Sequence, residues 1–258
     1  MDSILFSLEN DVAKITFNRP NVYNSFNREM ALAMQARLDE CASDSAIRAI
    51  YITGKGKAFC AGQDLQEAID PEGPELSKIV SEHYNPIIQR IRNIEKPVIA
   101  AINGVAAGAG ANIALACDIT IATESASFIQ AFSKIGLIPD SGGTFFLPRI
   151  IGMQKASALM MLGDKVSAKD AEAMGMIYKV VADEEFEEAS FAIASKLAKM
   201  PTKGLGYTKQ LLNQSYSNNL TEQLAAEDKY QTIAGNTYDY SEGVNSFLEK
   251  RKPIFKGE

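Results

Sequence analysis

The sequence is poor in the residues from which many catalytic and structural sites are built. Its 258 residues include no tryptophan, one histidine and three cysteines. The cysteines, Cys41, Cys60 and Cys117, are odd in number, lie far apart and form no C-x-x-C pair. They therefore indicate neither a disulfide framework nor a zinc site, and the sequence suggests no metal site elsewhere. We expect three buried, reduced thiols.

The single histidine leaves nucleophilic catalysis with one candidate base. A Ser-His-Asp triad or a Cys-His pair would have to use His83, which lies between Glu82 and Tyr84 in a predicted helix. That position, next to a flexible acidic segment, favours the interpretation of His83 as a partly exposed helix residue without a catalytic role.

The chain also lacks a long hydrophobic run. No apolar stretch approaches the roughly 20 residues that a membrane-spanning helix needs. The first residues lack the basic and apolar pattern of a signal peptide, so we expect a cytoplasmic protein with no membrane partner. The net charge of −6 argues against a general nucleic-acid partner, because such binding needs a basic face, but it permits a small anionic ligand.

Hydrophobic patterning predicts an α/β protein whose last part is helical. Short β-branched segments such as residues 12–17 and 47–53 recur between helical segments, in a strand-strand-helix order. The acidic segment 64–82 is broken by prolines and a glycine, and is the best candidate for a mobile loop. From about Gln154 onward the pattern is almost wholly helical, with one predicted strand at residues 178–181.

Three glycine-rich turns stand out, at residues 59–64, 103–110 and 138–144, and the first two adjoin predicted strands. Such turns expose backbone N–H groups and let a ligand approach closely. Two N–H groups from separate turns, directed at one point, would form an oxyanion hole for a thioester that becomes an enolate. Any one turn, taken alone, is more often a packing device. The turns match neither the dinucleotide pattern G-x-G-x-x-G nor the P-loop pattern.

Asp140 is the outstanding carboxylate of the chain. It follows the apolar Ile138 and Pro139 and precedes Ser141, Gly142 and Gly143. A carboxylate in such a place is a candidate acid/base group. It is equally suited to be the N-cap of the helix predicted after Gly143, so the local sequence alone leaves both roles open.

Several segments, in order along essentially the whole chain, resemble the crotonase (enoyl-CoA hydratase/isomerase) superfamily. Residues 96–104 (KPVIAAING), with the glycine-alanine turn and residues 116–119 (ACDI), resemble its signature segment. Residues 58–65 (AFCAGQDL) resemble its first oxyanion segment, and residues 242–251 (EGVNSFLEKR) its CoA-contacting tail. The agreement of several motifs favours a functional role for the glycine turns.

The resemblance implies the crotonase fold: a spiral of strand-strand-helix turns in residues 1–200, followed by a helical trimerisation region in residues 201–258. It implies an acyl-CoA substrate, no cofactor beyond the coenzyme A of that substrate, and a homotrimer or a hexamer built as a dimer of trimers. The oxyanion amides would be those of Gln63 and Ala109. CoA would contact the residues that match the family's binding segments, namely Ala61, Gln63, Asp64, Leu65, Phe247 and Lys250.

Two departures from the family pattern bear on the reaction. Enoyl-CoA hydratases carry two glutamates, and at the matching places this chain has Asn112 and Phe132. Neither an amide nor a phenyl ring can exchange a proton near neutral pH, so the sequence argues against ordinary hydration. The resemblance places Asn112 and Phe132 in the acyl pocket, with Phe128 or Phe145 as further apolar neighbours.

The remaining acid/base candidate, Asp140, matches a position where some isomerases and one dehalogenase subgroup of the family carry aspartate. Residues 131–144 (AFSKIGLIPDSGGT), 84–86 and 103–111 are similar to those of the subgroup that isomerises ring 1,2-epoxyphenylacetyl-CoA to an oxepin. The resemblance therefore implies an isomerase that moves a double bond from 3-enoyl to 2-enoyl-CoA or isomerises the ring epoxide. A hydratase, a 4-halobenzoyl-CoA-type dehalogenase and a non-catalytic CoA-fold scaffold remain alternatives, although the dehalogenase's pocket tryptophan has no counterpart here.

Overall fold

The computed structural model describes residues 2–258, and in that part ten strands form two sheets. The larger sheet has the order β1-β2-β3-β5-β7-β10, and the smaller has the order β4-β6-β8-β9. Parallel pairing dominates, since antiparallel pairs occur only at β1/β2 and β8/β9. The strands are β1 (Ile4–Glu9), β2 (Val12–Phe17), β3 (Ala49–Gly54), β4 (Ala58–Cys60), β5 (Val98–Ile102), β6 (Val105–Ala107), β7 (Ile119–Thr123), β8 (Ser127–Ile129), β9 (Lys165–Ser167) and β10 (Lys179–Val181).

Twelve α-helices lie within the described residues. They are α1 (Arg28–Ser43), α2 (Leu65–Ile69), α3 (Leu76–Lys78), α4 (Asn85–Asn93), α5 (Ala109–Ala116), α6 (Gly143–Ile151), α7 (Met153–Leu162), α8 (Ala168–Ala173), α9 (Phe186–Ala198), α10 (Thr202–Gln214), α11 (Leu220–Gly235) and α12 (Tyr238–Leu248). A π-helical segment, Ile79–Tyr84, joins α3 to α4, and short 3-10 turns occur at Pro20–Val22, Ala131–Ile135 and Asp183–Glu185.

The predicted strand-strand-helix spiral is confirmed. Three times the chain leaves a strand of the larger sheet and at once forms a strand of the smaller one: β3 to β4, β5 to β6, and β7 to β8. The prediction of a single strand after Gln154 is wrong, because β9 also lies there. Its three residues pair antiparallel with β8, and so short a strand leaves no periodic signal in the sequence.

The central strands β3 and β5 of the larger sheet are buried on both faces, as expected of parallel strands. Side chains alternate along β3: Ile50 and Ile52 join the main core, whereas Tyr51 joins a second cluster under α9. Tyr51 lies 2.8 Å from the hydroxyl of Ser190 on α9, so the buried polar atom has a partner. The three cysteines are buried and free, as predicted.

The C-terminal region consists of α10, α11 and α12, and Arg48 attaches it to the spiral. The Arg48 guanidinium donates to the Thr202 hydroxyl and to the carbonyl oxygens of Met200 and Phe255. In α10, Lys209 is buried and pairs with Asp118 at 2.8 Å. None of the helices in residues 2–258 combines the length and the apolar character that crossing a membrane would require.

The acidic segment 64–82, predicted as a mobile loop, contains α2, α3 and most of the π-helical segment. The prediction that His83 is partly exposed is wrong: His83 and Tyr84 are both fully buried, with 0% exposure. Arg28 from the start of α1 covers the histidine, with Nη1 3.3 Å from His83 Nε2. Arg28 is 55 positions away from His83 in the sequence, so the local sequence around the histidine does not reveal this contact.

Candidate active site

The three glycine-rich turns meet at one edge of the smaller sheet. They are the Gln63 turn (residues 59–64), the Ala109 turn (103–110) and the Asp140 turn (138–144). Gln63 lies just after β4 and Ala109 just after β6, and the third turn follows β8 after one 3-10 turn. Because β4, β6 and β8 are adjacent and parallel, their carboxyl ends lie side by side. Parallel sheets commonly bind ligands at this edge.

The Gln63 turn presents a free backbone N–H group. Phe26 bridges this turn from a neighbouring loop: its N–H donates to the Gly62 carbonyl at 2.7 Å, and its carbonyl accepts from Asp64 N–H at 2.8 Å. These two hydrogen bonds engage the residues directly before and after Gln63 and leave its own N–H group unused. Within residues 2–258 the Gln63 N–H has no acceptor, so it is available to a ligand.

The Ala109 turn supplies a second free N–H group close to the first. Gly108 has a positive φ of 53° and leads into α5, whose first residue is Ala109. The first N–H groups of a helix have no partner within that helix. A Cβ on Gly62 would lie 3.4 Å from Ala109 N and 3.1 Å from the Ala107 carbonyl oxygen, so the two turns pack directly against each other.

The Asp140 turn holds its carboxylate between main-chain and side-chain contacts. The Asp140 carbonyl oxygen accepts from Asn112 Nδ2 and from Gly143 N–H, both at 2.9 Å. Asn112 lies on α5, three residues after Ala109, so this bond ties the carboxylate turn to the second N–H turn. The Ser141 hydroxyl donates to Asp140 Oδ1 at 2.8 Å.

Burial raises the pKa of Asp140 above the usual 3.8, and the hydrogen bond from Ser141 opposes that shift. The alternative role as an N-cap is wrong. The N-cap of α6 is Gly142, and no side chain accepts from the first turn of that helix. The Asp140 side chain is therefore free of a structural task at the helix terminus.

Tyr84 contacts the Gln63 turn from the π-helical segment. Its hydroxyl donates to Gln63 Oε1 at 3.0 Å. Burial is the main reason that the pKa of Tyr84 is raised well above 10. Tyr84 therefore offers Gln63 a neutral hydroxyl group. Sequence reasoning assigned Tyr84 no role, and its only signal was membership in the 84–86 motif.

The Gln63 side chain is fixed at its other end as well. Gln63 Nε2 donates to Glu67 Oε2 at 2.9 Å, and Glu67 Oε1 accepts from the backbone N–H of Arg28 at 2.8 Å. Three elements therefore hold this side chain: the π-helical segment, α2 and the start of α1.

The predicted acyl-pocket residues lie near the turns. The Phe132 ring comes within 3.8 Å of the position that a Cβ on Gly108 would occupy. Asn112 is fully buried, and its carbonyl oxygen accepts from Gln130 Nε2 at 2.8 Å. Of the two further phenylalanines, Phe128 is buried in the core, whereas Phe145 is exposed and stacks against Arg149 and Tyr216 on the surface. The part of the chain from 2 to 258 holds no group of three His, Cys, Asp or Glu side chains suited to a metal ion.

The predicted CoA-contacting residues fall into two groups. In the Gln63 turn, Ala61 N–H donates to the Tyr23 carbonyl, Asp64 is buried against Arg19 at 2.8 Å, and Leu65 is exposed. Phe247 and Lys250 lie at the other end of the chain, on and just after α12. Phe247 is 83% exposed and borders a cavity of about 830 Å³ between the C-terminal helices.

Comparisons with known proteins agree with this architecture. Residues 7–258 match the family "Enoyl-CoA hydratase/isomerase". The chain is 48% identical to the 1,2-epoxyphenylacetyl-CoA isomerase of Escherichia coli K12, over 100% of both chains. It is 34% identical to the 2,3-dehydroadipyl-CoA hydratase of the same organism, again over 100% of both.

Among solved structures, the enoyl-CoA hydratase of Bacillus anthracis superposes with a TM-score of 0.93 at 33% identity, covering 99% of this chain and 100% of that one. Fold, turns and sequence therefore agree, and the chain belongs to the enoyl-CoA hydratase/isomerase (crotonase) family.

Proposed function

We propose that this protein is an acyl-CoA isomerase that uses Asp140 as its acid/base group. It would shift a double bond from 3-enoyl to 2-enoyl-CoA, or convert ring 1,2-epoxyphenylacetyl-CoA to the oxepin. One observation carries the proposal: Asn112, on the helix that begins with the Ala109 N–H group, holds the carbonyl oxygen of Asp140, so the partly buried carboxylate lies beside the turns whose N–H groups are free. A single carboxylate beside two such donors is sufficient for a 1,3-proton shift.

In the double-bond shift, Asp140 removes a proton from C2, and the electron pair moves toward the thioester oxygen. The N–H groups of Gln63 and Ala109 stabilise the charge that collects there. The same carboxyl group returns the proton at C4, which leaves the double bond between C2 and C3. For the ring epoxide, formation of the enolate triggers the rearrangement of the ring.

The environment of Asp140 suits this task. A general base must be ionised at the working pH and yet basic enough to remove a proton. Burial raises the pKa of Asp140, which increases its basicity, while the hydrogen bond from Ser141 keeps the ionised form accessible. Phe132 beside Gly108 would keep water from the acyl group.

The choice of substrate draws on the relatives. The printed activity of the relative from E. coli, a 1,2-epoxyphenylacetyl-CoA isomerase at 48% identity, supports a ring-epoxide substrate and a place in phenylacetate breakdown. We further propose that the protein works in the cytoplasm without a cofactor, as a trimer or a hexamer. Residues 201–258 would form the trimer contacts, and Phe247 and Lys250 would reach the adenosine-phosphate end of CoA bound to a neighbouring subunit.

The variant Asp140→Asn tests the proposal, because the amide keeps the size of the carboxylate but cannot act as a base. We expect the isomerisation of 3-hexenoyl-CoA and of epoxyphenylacetyl-CoA, followed by product analysis, to fall by about 10² to 10⁴-fold, the usual contribution of a general base. The control is Asp164→Asn, at an exposed aspartate. Activity of a folded Asp140→Asn protein within about tenfold of the wild type, a barrier change of only ~1.4 kcal/mol, would refute the assignment.

A hydratase is the second candidate, because the matched 2,3-dehydroadipyl-CoA hydratase shows that this chain's relatives include hydratases. Its weakness lies at Asn112, whose amide is already bonded to Asp140 and Gln130. Hydration of crotonyl-CoA faster than isomerisation of 3-hexenoyl-CoA would favour it. Hydrolysis of a halobenzoyl-CoA would indicate a dehalogenase, and binding of CoA esters without turnover would indicate a scaffold protein.

A further inference from the structure

Ser141 adopts a backbone conformation that suits glycine better than serine. Its φ is +51°, in the left-handed region, and Gly142 directly after it has a φ of +74°. Residues other than glycine, asparagine and aspartate rarely adopt a backbone conformation in this region. Ser141 is also 2% exposed, so its hydroxyl needs a partner inside the protein. We therefore expect the serine side chain to make a contact here that glycine could not make.

That side chain makes one hydrogen bond within residues 2–258, and its acceptor is the proposed base. Ser141 Oγ donates to Asp140 Oδ1 at 2.8 Å. Over the same residues, no hydrogen bond is formed to Asp140 Oδ2, and the Tyr84 hydroxyl is directed to Gln63 instead. The two oxygens of the carboxylate are thus unequal within these residues: Oδ1 accepts from Ser141, and Oδ2 accepts from no other side chain.

We propose that Ser141 is a positioning residue that reserves Asp140 Oδ2 as the one oxygen that carries the migrating proton. The inference rests on the proposed function, since it assigns a task to the neighbour of the proposed base. Asn112 contributes by holding the Asp140 carbonyl oxygen, so that the main chain and the carboxyl group of this residue are fixed by different elements.

The hydrogen bond can persist through the whole reaction. In the first half, the C2–H bond breaks, its electron pair enters the dienolate, and the proton joins Oδ2. Oδ1 is then the carbonyl oxygen of a carboxylic acid, which still accepts from the Ser141 hydroxyl. In the second half, the Oδ2–H bond breaks, a C4–H bond forms, and the product has its double bond between C2 and C3.

A fixed carboxyl group has a consequence that can be measured. With Oδ1 held, the acid cannot make the half-turn about Cβ–Cγ that would exchange its two oxygens and expose the proton to solvent. The hydrogen removed from C2 is then the hydrogen delivered to C4. Without the Ser141 hydroxyl, the carboxyl group can rotate, and the proton exchanges with water before it is returned.

The experiment follows deuterium through the reaction. 3-Hexenoyl-CoA with two deuteriums at C2 is turned over in ordinary water to low conversion, and mass spectrometry measures deuterium at C4 of the product. Ser141→Gly removes the hydroxyl and at the same time relieves the left-handed strain, whereas Ser141→Ala removes the hydroxyl and keeps the strain. Ser190→Ala is the control, because Ser190 is likewise buried and hydrogen-bonded but lies under the opposite face of the larger sheet, beside Tyr51.

We expect the wild type and Ser190→Ala to deliver most of the label to C4. Both Ser141 variants should deliver at least threefold less, and their kcat should fall by about tenfold with KM nearly unchanged. Equal retention of label in a folded Ser141→Gly protein would overturn the inference, as would complete loss of label in the wild type. Asp140→Asn distinguishes failure of this inference from failure of the proposed function. If Asp140→Asn is inactive while Ser141→Gly retains the label, only the inference about Ser141 fails. If Asp140→Asn is active, the proposed function fails.

Discussion

The Gln63 turn and the Asp140 turn lie at the same edge of the smaller sheet, but they are held in different ways. Two backbone hydrogen bonds to Phe26 flank Gln63, and its side chain is fixed between Tyr84 and Glu67. The Asp140 turn contains two consecutive left-handed residues and begins at Ile138, which is 81% exposed. The first turn is tied down on several sides, and the second is tied mainly by Asn112 and Ser141.

The roles that we propose for the two turns would explain this difference. An oxyanion hole stabilises charge because its donors are already in place before the reaction, so its backbone must not move. The base, in contrast, must reach carbon atoms of an acyl group whose shape differs between substrates. A carboxylate on a more exposed turn, held by a single hydroxyl, can be matched to a new acyl group without disturbing the oxyanion amides.

Among variants that keep the Asp140 carboxylate, the largest effect should come from separating the two amide turns. In Gly62→Ala, the new methyl group must fit at a φ of +92° and at 3.1 Å from the Ala107 carbonyl oxygen, next to Ala109 N. A displacement of the amides by about 1 Å is enough to lower kcat by roughly 100-fold. Steady-state kinetics of isomerisation would measure this loss.

Gly175→Ala is the matched control for Gly62→Ala. Gly175 has a similar φ of +79°, but a methyl group there would meet nothing within 4 Å. Both variants carry the same kind of backbone strain, about 1–2 kcal/mol, so both should unfold at a lower temperature. Only Gly62→Ala should lose activity. Equal activity of the two variants would show that contact between the turns does not matter for catalysis.

A smaller effect is expected from Tyr84→Phe, which leaves the turns in contact but removes one side of the clamp on Gln63. The variant deletes the hydroxyl that donates to Gln63 Oε1. We expect kcat to fall about tenfold, which corresponds to ~1.4 kcal/mol, with KM nearly unchanged. The carbonyl stretch of a bound enoyl-CoA, measured by Raman spectroscopy, should also shift less toward low frequency, because the amides polarise it less.

The control is Tyr51→Phe, another buried tyrosine with a hydrogen-bonded hydroxyl, placed in the core cluster under α9. It should lower stability without any change in kcat or in the carbonyl stretch. If both tyrosine variants shift the Raman band equally, the contact from Tyr84 to Gln63 has no particular role in polarising the thioester.

The sequence predicted the spiral well because its longer strands and helices are periodic. It could not predict β9, whose three residues carry no period, or the burial of His83, whose cover comes from Arg28 on another helix. The same limit applies to the site. The glycine turns and Asp140 stand out locally, so they could be found by inspection of residues and of family motifs.

The contacts that hold the site join residues far apart in the chain. Tyr84 and Gln63 are 21 residues apart, and Asn112 and Asp140 are 28 residues apart. No local pattern pairs them, because each pairing results from the packing of elements that are far apart in the chain. The strain at Ser141 was equally hidden, since serine is an ordinary residue in a turn and its φ becomes known only with the backbone.

The smallest expected effect concerns the stability that is sacrificed to keep Asp140 ionised. Burial raises the pKa of Asp140, so the folded protein binds a proton at this site more readily than the unfolded chain does. Its contribution to stability is therefore fully present below the usual pKa of 3.8 and is lost as the pH rises through the higher folded value. At pH 7 the ionised group is a burden on the fold, and Asp140→Asn should raise Tm slightly.

Asp39→Asn should change Tm in the opposite direction, so it serves as the comparison for Asp140→Asn. The hydrogen bond from Arg90 lowers the pKa of Asp39, so this carboxylate favours the fold above its usual pKa. Its amide variant should lower Tm at pH 7, and only slightly, because the pair is exposed to solvent. Thermal unfolding at pH 7 and at pH 4 measures both variants, and the gain from Asp140→Asn should shrink at the lower pH. A loss of stability in Asp140→Asn at pH 7 would mean that the Asp140 turn is built around its charge, as the Gln63 turn is built around its side-chain contacts.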